Sequence, residues 1–69
     1  MKIRDPQSLG QAIRHQRRRL KVTQKDLAMT SGTGLRFIID LEKGKSTCQL
    51  GKAMDIVRAL GLNLEIREP

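Results

Sequence analysis

The 69-residue sequence predicts one all-α domain of four to five helices, followed by a short C-terminal β-strand. Four segments carry apolar residues at helical spacing and are bounded by capping residues, proline or glycine. The stretch 62–66 instead alternates apolar and polar residues, a pattern typical of a strand. Because a chain of this length builds a single core, we expect residues 1–69 to form one domain.

The first helix is expected to begin near Pro6, with either Asp5 or Ser8 as its cap. Four apolar residues at helical spacing predict its buried face: Leu9, Ala12, Ile13 and Leu20. The opposite face carries the basic residues Arg14, Arg18, Arg19 and Lys21.

The second and third helices are predicted to form a pair joined by a turn at Gly32. Thr23 is expected to cap the second helix, because its hydroxyl can accept from a backbone N–H of the first turn. The third helix is expected to start after Thr33 and to run to Lys43, where Gly44 supplies the left-handed position. The buried residues of the pair are predicted to be Leu27, Ala28, Ile38 and Leu41, with Phe37 partly buried.

A fourth helix is predicted between a capping box, formed by Ser46 with Gln49, and a stop at Gly61. Its apolar stripe is predicted to consist of Leu50, Ala53, Ile56, Val57 and Leu60.

The C-terminal strand is predicted from the alternation of Leu62, Leu64 and Ile66 with polar residues. Within its own chain only the short segment 2–4 is a candidate partner, and an unpaired apolar strand is an association site. Pairing with its copy in a second chain would make an antiparallel, two-fold contact. The other interpretation is a frayed tail.

The composition favours a polyanionic partner, because Lys+Arg 14 against Asp+Glu 7 leaves a net charge of +7. With one Phe and no Trp or Tyr, the chain lacks stacking platforms for single strands, which favours duplex DNA. One cysteine (Cys48) and one histidine (His15) provide neither a disulfide nor a metal site. We expect no cofactor and no enzymatic activity. Since neither a membrane-spanning run nor a signal peptide is present, a cytosolic location is expected.

The most specific signal lies in residues 23–45, TQKDLAMTSGTGLRFIIDLEKGK, which run as cap, short helix, glycine turn, second helix and glycine stop. This stretch resembles the Cro/C1-type (XRE) helix-turn-helix family, and the resemblance extends over roughly residues 9–62. The matching positions are Arg17, Thr23, Gln24, Leu27, Ala28, Gly32, Ile38, Leu41, Glu42 and Gly44. The resemblance implies a compact lambda-repressor-like domain whose DNA-reading unit is 23–43, with the second helix of that unit in the major groove.

Within that family, the segments 36–38 and 41–45 resemble HipB-type antitoxins, which accompany HipA-type kinase toxins. The resemblance implies a prokaryotic, nucleoid-associated homodimer that binds a palindromic operator, represses its own operon and holds the kinase inactive. One alternative is a stand-alone phage or bacterial regulator of the same family without a toxin partner. A second is a protein-interaction module that has lost DNA binding.

Under this resemblance, the base-reading end of the unit is 33–36, formed by Thr33, Gly34, Leu35 and Arg36. Arg36 is expected to bond guanine O6 and N7, and the alternative is a phosphate contact or exposure to solvent. Leu35 is expected either to pack on a thymine methyl group or to be surplus apolar surface. The family usually has a polar residue where this chain has Leu35. Ile39 and Asp40 face outward on the same helix, and Asp40 is expected to accept from cytosine N4 or to reject a wrong register.

Phosphate contacts are expected from the first turn of the second helix and from the chain that follows the third helix. The residues concerned are Gln24, Lys43, Lys45 and Thr47. Arg17 is expected to form an internal ion pair with Glu42, as the family position implies, and not to contact DNA.

Overall fold

The computed structural model describes residues 2–69, which contain four α-helices: α1 (Pro6–Arg19), α2 (Gln24–Ser31), α3 (Leu35–Glu42) and α4 (Leu50–Ala59). The predicted all-α class is therefore confirmed for this range. Met1, the first residue of the predicted domain, lies outside the described residues. None of the four helices is long and apolar enough to cross a membrane.

Helix α1 begins with a reciprocal pair of hydrogen bonds between Asp5 and Ser8. The Asp5 carboxylate accepts from the Ser8 backbone N–H at 2.7 Å, and the Ser8 hydroxyl accepts from the Asp5 N–H at 3.1 Å. Pro6 occupies the first helical position, where its missing N–H costs no hydrogen bond. Of the two caps that the sequence leaves open, Asp5 is therefore the cap and Ser8 is its partner.

The α2–α3 pair begins and ends largely where the sequence predicts. The Thr23 hydroxyl accepts from the Asp26 N–H at 3.0 Å, which confirms the cap of α2. Gly32 ends α2 in the left-handed region at a φ of 72°, and Gly44 follows α3 at a φ of 86°. The predicted start of α3 is one residue early, because Gly34 is the cap in place of Thr33.

The predicted capping box of α4 is wrong. The helix begins at Leu50, and its cap, Gln49, makes no side-chain hydrogen bond to it. Cys48 packs against the core before the helix begins. The chain passes Ser46 in a bend and not as a helix start, so the two box residues do not flank the first turn.

The core draws residues from all four helices and fills the space between them. Its buried apolar side chains are Ile13, Leu27, Ala28, Ile38, Leu41, Ala53, Ile56, Val57 and Leu60. Two predicted core residues are exposed instead: Leu20 by 45% and Leu50 by 66%. Leu20 follows the last residue of α1, where Lys21 adopts a left-handed conformation and the chain turns. Leu50 is the first residue of α4, and the core lies against later turns of that helix.

The C-terminal tail contains no strand within residues 2–69 of this single chain. Leu62 packs on the core, whereas Leu64 is 46% exposed and Ile66 is completely exposed. The segment 2–4 lines a cavity together with the tail but forms no ladder with it. Since a ladder needs a partner strand, pairing of 62–66 across a dimer stays a prediction.

Candidate nucleic-acid interface

Helix α3 buries one side and exposes the other. Ile38, Leu41 and Glu42 face the interior, because residues three and four apart share a helix face. Leu35 and Arg36 lie on the exposed side, and the Arg36 side chain is 82% exposed. The exposed face of α3 is thus available to enter a groove of duplex DNA.

The first turn of α3 places few hydrogen-bonding groups at that face. The Thr33 hydroxyl lies 3.0 Å from the Ser31 hydroxyl and is half-buried. Gly34 has no side chain, and a Cβ there would meet nothing within 4 Å. Leu35 is 43% exposed and apolar. Of the predicted base-reading residues 33–36, Arg36 therefore carries the freely accessible donors.

One turn further along α3, the carboxylate of Asp40 lies between two cations. Its Oδ1 is 3.4 Å from Arg36 Nε, and its Oδ2 is 3.6 Å from Lys45 Nζ. The Asp40 side chain is 22% exposed, much less than either partner. The spacing of Arg36 and Asp40 by four residues permits their contact in any helix, but only the turn after α3 brings Lys45 back to the same carboxylate.

Beneath the exposed face, Arg17 and Glu42 form a buried ion pair between α1 and α3. Arg17 Nε donates to Glu42 Oε2 at 2.6 Å, and Nη2 donates to Oε1 at 3.0 Å. A third donor, Nη1, reaches the carbonyl of Val22 at 2.9 Å. The hydrogen bonds that Arg17 donates to Glu42 raise the pKa of Arg17, against the opposing effect of burial. The pair fixes the end of α1 against α3.

Gln24 also belongs to this network. Its side-chain amide donates to Glu42 Oε1 at 3.2 Å, so α2 is tied to the same carboxylate as α1. The amide nitrogen carries two hydrogens, and the second one remains able to donate to a phosphate. The predicted phosphate role of Gln24 is compatible with this geometry, and its orientation is set by Glu42.

A cleft of about 330 Å³ lies where the end of α1, the start of α2 and the outer side of α3 meet. Its lining residues are Arg14, Arg17, Arg18, Gln24, Ile39, Glu42 and Lys43. Arg14 and Arg18 are exposed and lie one helical turn apart, beside the buried Arg17. Three predicted DNA contacts, Gln24, Ile39 and Lys43, and the predicted ion pair thus share one surface with Arg14 and Arg18, which were not predicted to contact DNA. Their spacing around Arg17 was the available signal.

The residues after α3 remain at the surface. Lys43, Lys45 and Thr47 are all exposed, and Lys43 lines the cleft. His15 is exposed on α1, and Cys48 packs on the core. Within residues 2–69 no group of three or more His, Cys, Asp or Glu side chains could hold a metal ion.

Comparison with known proteins agrees with this geometry. The family model described as helix-turn-helix (HTH_3) matches residues 13–66. An uncharacterised HTH-type transcriptional regulator of Sinorhizobium fredii, y4mF, is 40% identical over 68 residues, covering 99% of this chain and 90% of that protein. A HipA-HipB-O2-O3 complex and a HipB-O4 20mer complex each contain a chain with a TM-score of 0.90 and 25% identity, covering 99% of this chain and 96% of theirs. The chain therefore belongs to the XRE-type HTH_3 family of helix-turn-helix transcriptional regulators.

Proposed function

We propose that this regulator is a dimeric, sequence-specific repressor that binds a palindromic operator and acts as the antitoxin of a HipA-type kinase. The observation that carries the proposal is the exposed face of α3, with its 82% exposed Arg36, lying beside a cleft lined by arginine and lysine. The likeness to chains from HipB complexes over 99% of this chain supports the same function.

The chemistry of the side chains at this surface separates those suited to phosphate contacts from those suited to base contacts. Arg14, Arg18 and Lys43 line the cleft and are suited to phosphate oxygens, which supply affinity without sequence information. Arg36 supplies donors to base edges, and the exposed Leu35 supplies an apolar surface for a thymine methyl group. One such face reads only a few base pairs, so a two-fold dimer on two half-sites is needed for selectivity.

We expect operator binding to weaken steeply with salt, because each phosphate contact releases counterions. With about 6–10 phosphate contacts per dimer, affinity should fall roughly 10³–10⁵-fold between about 50 and 200 mM salt. Fluorescence anisotropy with a labelled duplex from the region upstream of the chain's own gene measures this, and a scrambled duplex is the control. If neither duplex binds at low salt, the chain is a protein-interaction module instead.

We expect Ile66→Asp to convert a dimer into a monomer. Ile66 is completely exposed in the single chain, so the substitution leaves the fold of each subunit intact while placing a charge in the proposed strand pairing. Sedimentation equilibrium of both proteins measures the mass. Leu50→Asp is the matched control, because Leu50 is 66% exposed but lies on α4. A dimer unchanged by Ile66→Asp would remove the tail from the interface.

The antitoxin role has a specific rival. The relative y4mF is named as a transcriptional regulator, and its name mentions no toxin. A stand-alone regulator of the same family would bind DNA equally well. Co-expression with the chain encoded in the adjacent reading frame, followed by affinity purification, separates the two. A kinase-like chain that co-purifies supports the antitoxin, and its absence leaves the stand-alone regulator.

A further inference from the structure

The contact of Asp40 with Arg36 and Lys45 contributes little to stability. Both cations are largely in water, with side-chain exposures of 82% and 54%. Exposed ion pairs stabilise a fold only weakly, because water screens them and both side chains lose freedom. An acidic residue in the middle of a face that approaches phosphates also opposes binding electrostatically. Stability of the fold therefore does not explain why Asp40 lies on the exposed face of α3.

We propose that Asp40 is a positioning residue that aims Arg36 at a guanine, an inference that rests on the DNA-binding function proposed above. The guanidinium has one edge containing Nε and another made of its two terminal nitrogens. Asp40 Oδ1 lies 3.4 Å from Nε, so it occupies the first edge. The terminal edge takes no part in this contact, and its two donors match guanine O6 and N7.

Lys45 completes the arrangement by neutralising the carboxylate from its other side. Lys45 Nζ lies 3.6 Å from Oδ2, while Arg36 takes Oδ1, so each oxygen has its own cation. A carboxylate that has a cation at each oxygen is a poor acceptor for a hydrogen bond from a DNA base. Asp40 therefore acts through Arg36, and its effect should appear at the base that Arg36 contacts.

The test is a selection of binding sites from a randomised duplex library with the full chain and its variants. The wild-type dimer should enrich guanine at one position of each half-site, and Arg36→Ala should abolish that preference. Asp40→Ala should reduce the preference at the same position about tenfold. Binding of Asp40→Ala to a scrambled duplex should strengthen, because a negative charge has been removed. A merely structural role would weaken binding to both sequences together.

Asp40→Asn and Asp55→Ala sharpen the comparison. Asparagine keeps an oxygen that can accept from Arg36 Nε, so Asp40→Asn should retain part of the guanine preference. Asp55 pairs with Arg58 on α4, outside the candidate interface, and Asp55→Ala removes the same charge. That control should leave the guanine preference unchanged. Thermal unfolding establishes that each variant is folded, and Asp40→Asn provides the test if Asp40→Ala is not.

Three other outcomes are distinguishable. Full guanine preference in Asp40→Ala would overturn the positioning role. Loss of preference at a different position would also overturn it, since Asp40 would then contact a base itself. A wild-type chain that enriches no sequence would contradict the proposed function and not this inference alone.

Discussion

Replacing Glu42 with alanine is expected to lower the free energy of unfolding by about 3–5 kcal/mol, because the substitution leaves a buried guanidinium without its partner. The side chains of Arg17 and Glu42 are only 11% and 4% exposed. Glu42 accepts from both Arg17 and Gln24, so its loss removes three hydrogen bonds at once. In a domain of this size the melting temperature should fall by more than about 10 °C, as followed by circular dichroism.

Glu65→Ala is the control for this prediction. Glu65 also pairs with an arginine, Arg67 at 3.0 Å, but the Glu65 side chain is 62% exposed. Its replacement should change stability by less than about 1 kcal/mol. Equal destabilisation by the two substitutions would contradict the structural role of the buried pair. The double variant Arg17→Met/Glu42→Leu should recover much of the loss, because it removes both charges from the interior.

Arg17 should not make stability depend on pH near neutrality. The hydrogen bond with Glu42 raises the pKa of Arg17, which is already far above neutral. A cation whose pKa is raised on folding contributes its full stabilisation below the pKa of the unfolded chain, and loses it only at strongly alkaline pH. The arginine side of the pair is therefore constant over the range in which DNA binding is measured.

Gly10→Ala is expected to destabilise the protein by about 1–3 kcal/mol, although alanine is the better helix former. Gly10 is buried where α1 crosses α3. A Cβ at this position would come within 2.8 Å of the Glu42 carbonyl oxygen and still closer to that of Leu41. Both are backbone atoms at the end of a packed helix, so the helices must separate to admit a methyl group. Urea unfolding measures the change.

Gly51→Ala is its matched control. Gly51 also lies within a helix, α4, but a Cβ there would meet nothing within 4 Å. The same substitution should stabilise the protein by about 0.5–1 kcal/mol. Opposite signs for the two glycines would establish the close approach of α1 and α3. If Gly10→Ala also stabilised the chain, the helices would not be in contact at that point.

Features that depend on a few neighbouring residues were readable from the sequence. The Thr23 cap, the left-handed glycines at 32 and 44, and the helices between them satisfy their hydrogen bonds within one or two turns. The order of apolar residues then identified most of the core, because helical periodicity alone decides which residues share a face. These local signals also carry the resemblance to the helix-turn-helix family, which implies the DNA-reading unit 23–43.

The sequence predictions were wrong where the local pattern favoured one structure and tertiary packing favoured another. Ser46 and Gln49 have the right types and spacing for a capping box, yet α4 begins only at Leu50 and its cap, Gln49, makes no side-chain hydrogen bond. Leu20 and Leu50 fit an apolar stripe but lie at helix ends that the core does not reach. A pattern identifies the residues that can share a face, whereas the crossing of the helices decides how far the contact extends.

The sequence by itself thus determined the class of fold and, through the family resemblance, the helix-turn-helix unit and the residues proposed to contact DNA. The tertiary structure alone decided how those residues are held. It joined Gln24 to the Arg17–Glu42 pair, set Arg14 and Arg18 beside the cleft, and placed Asp40 between Arg36 and Lys45. The physical reason is distance along the chain: caps and turns are made by neighbours, whereas the contacts of Glu42 join segments 18 and 25 residues apart. Those contacts exist only once the helices have packed.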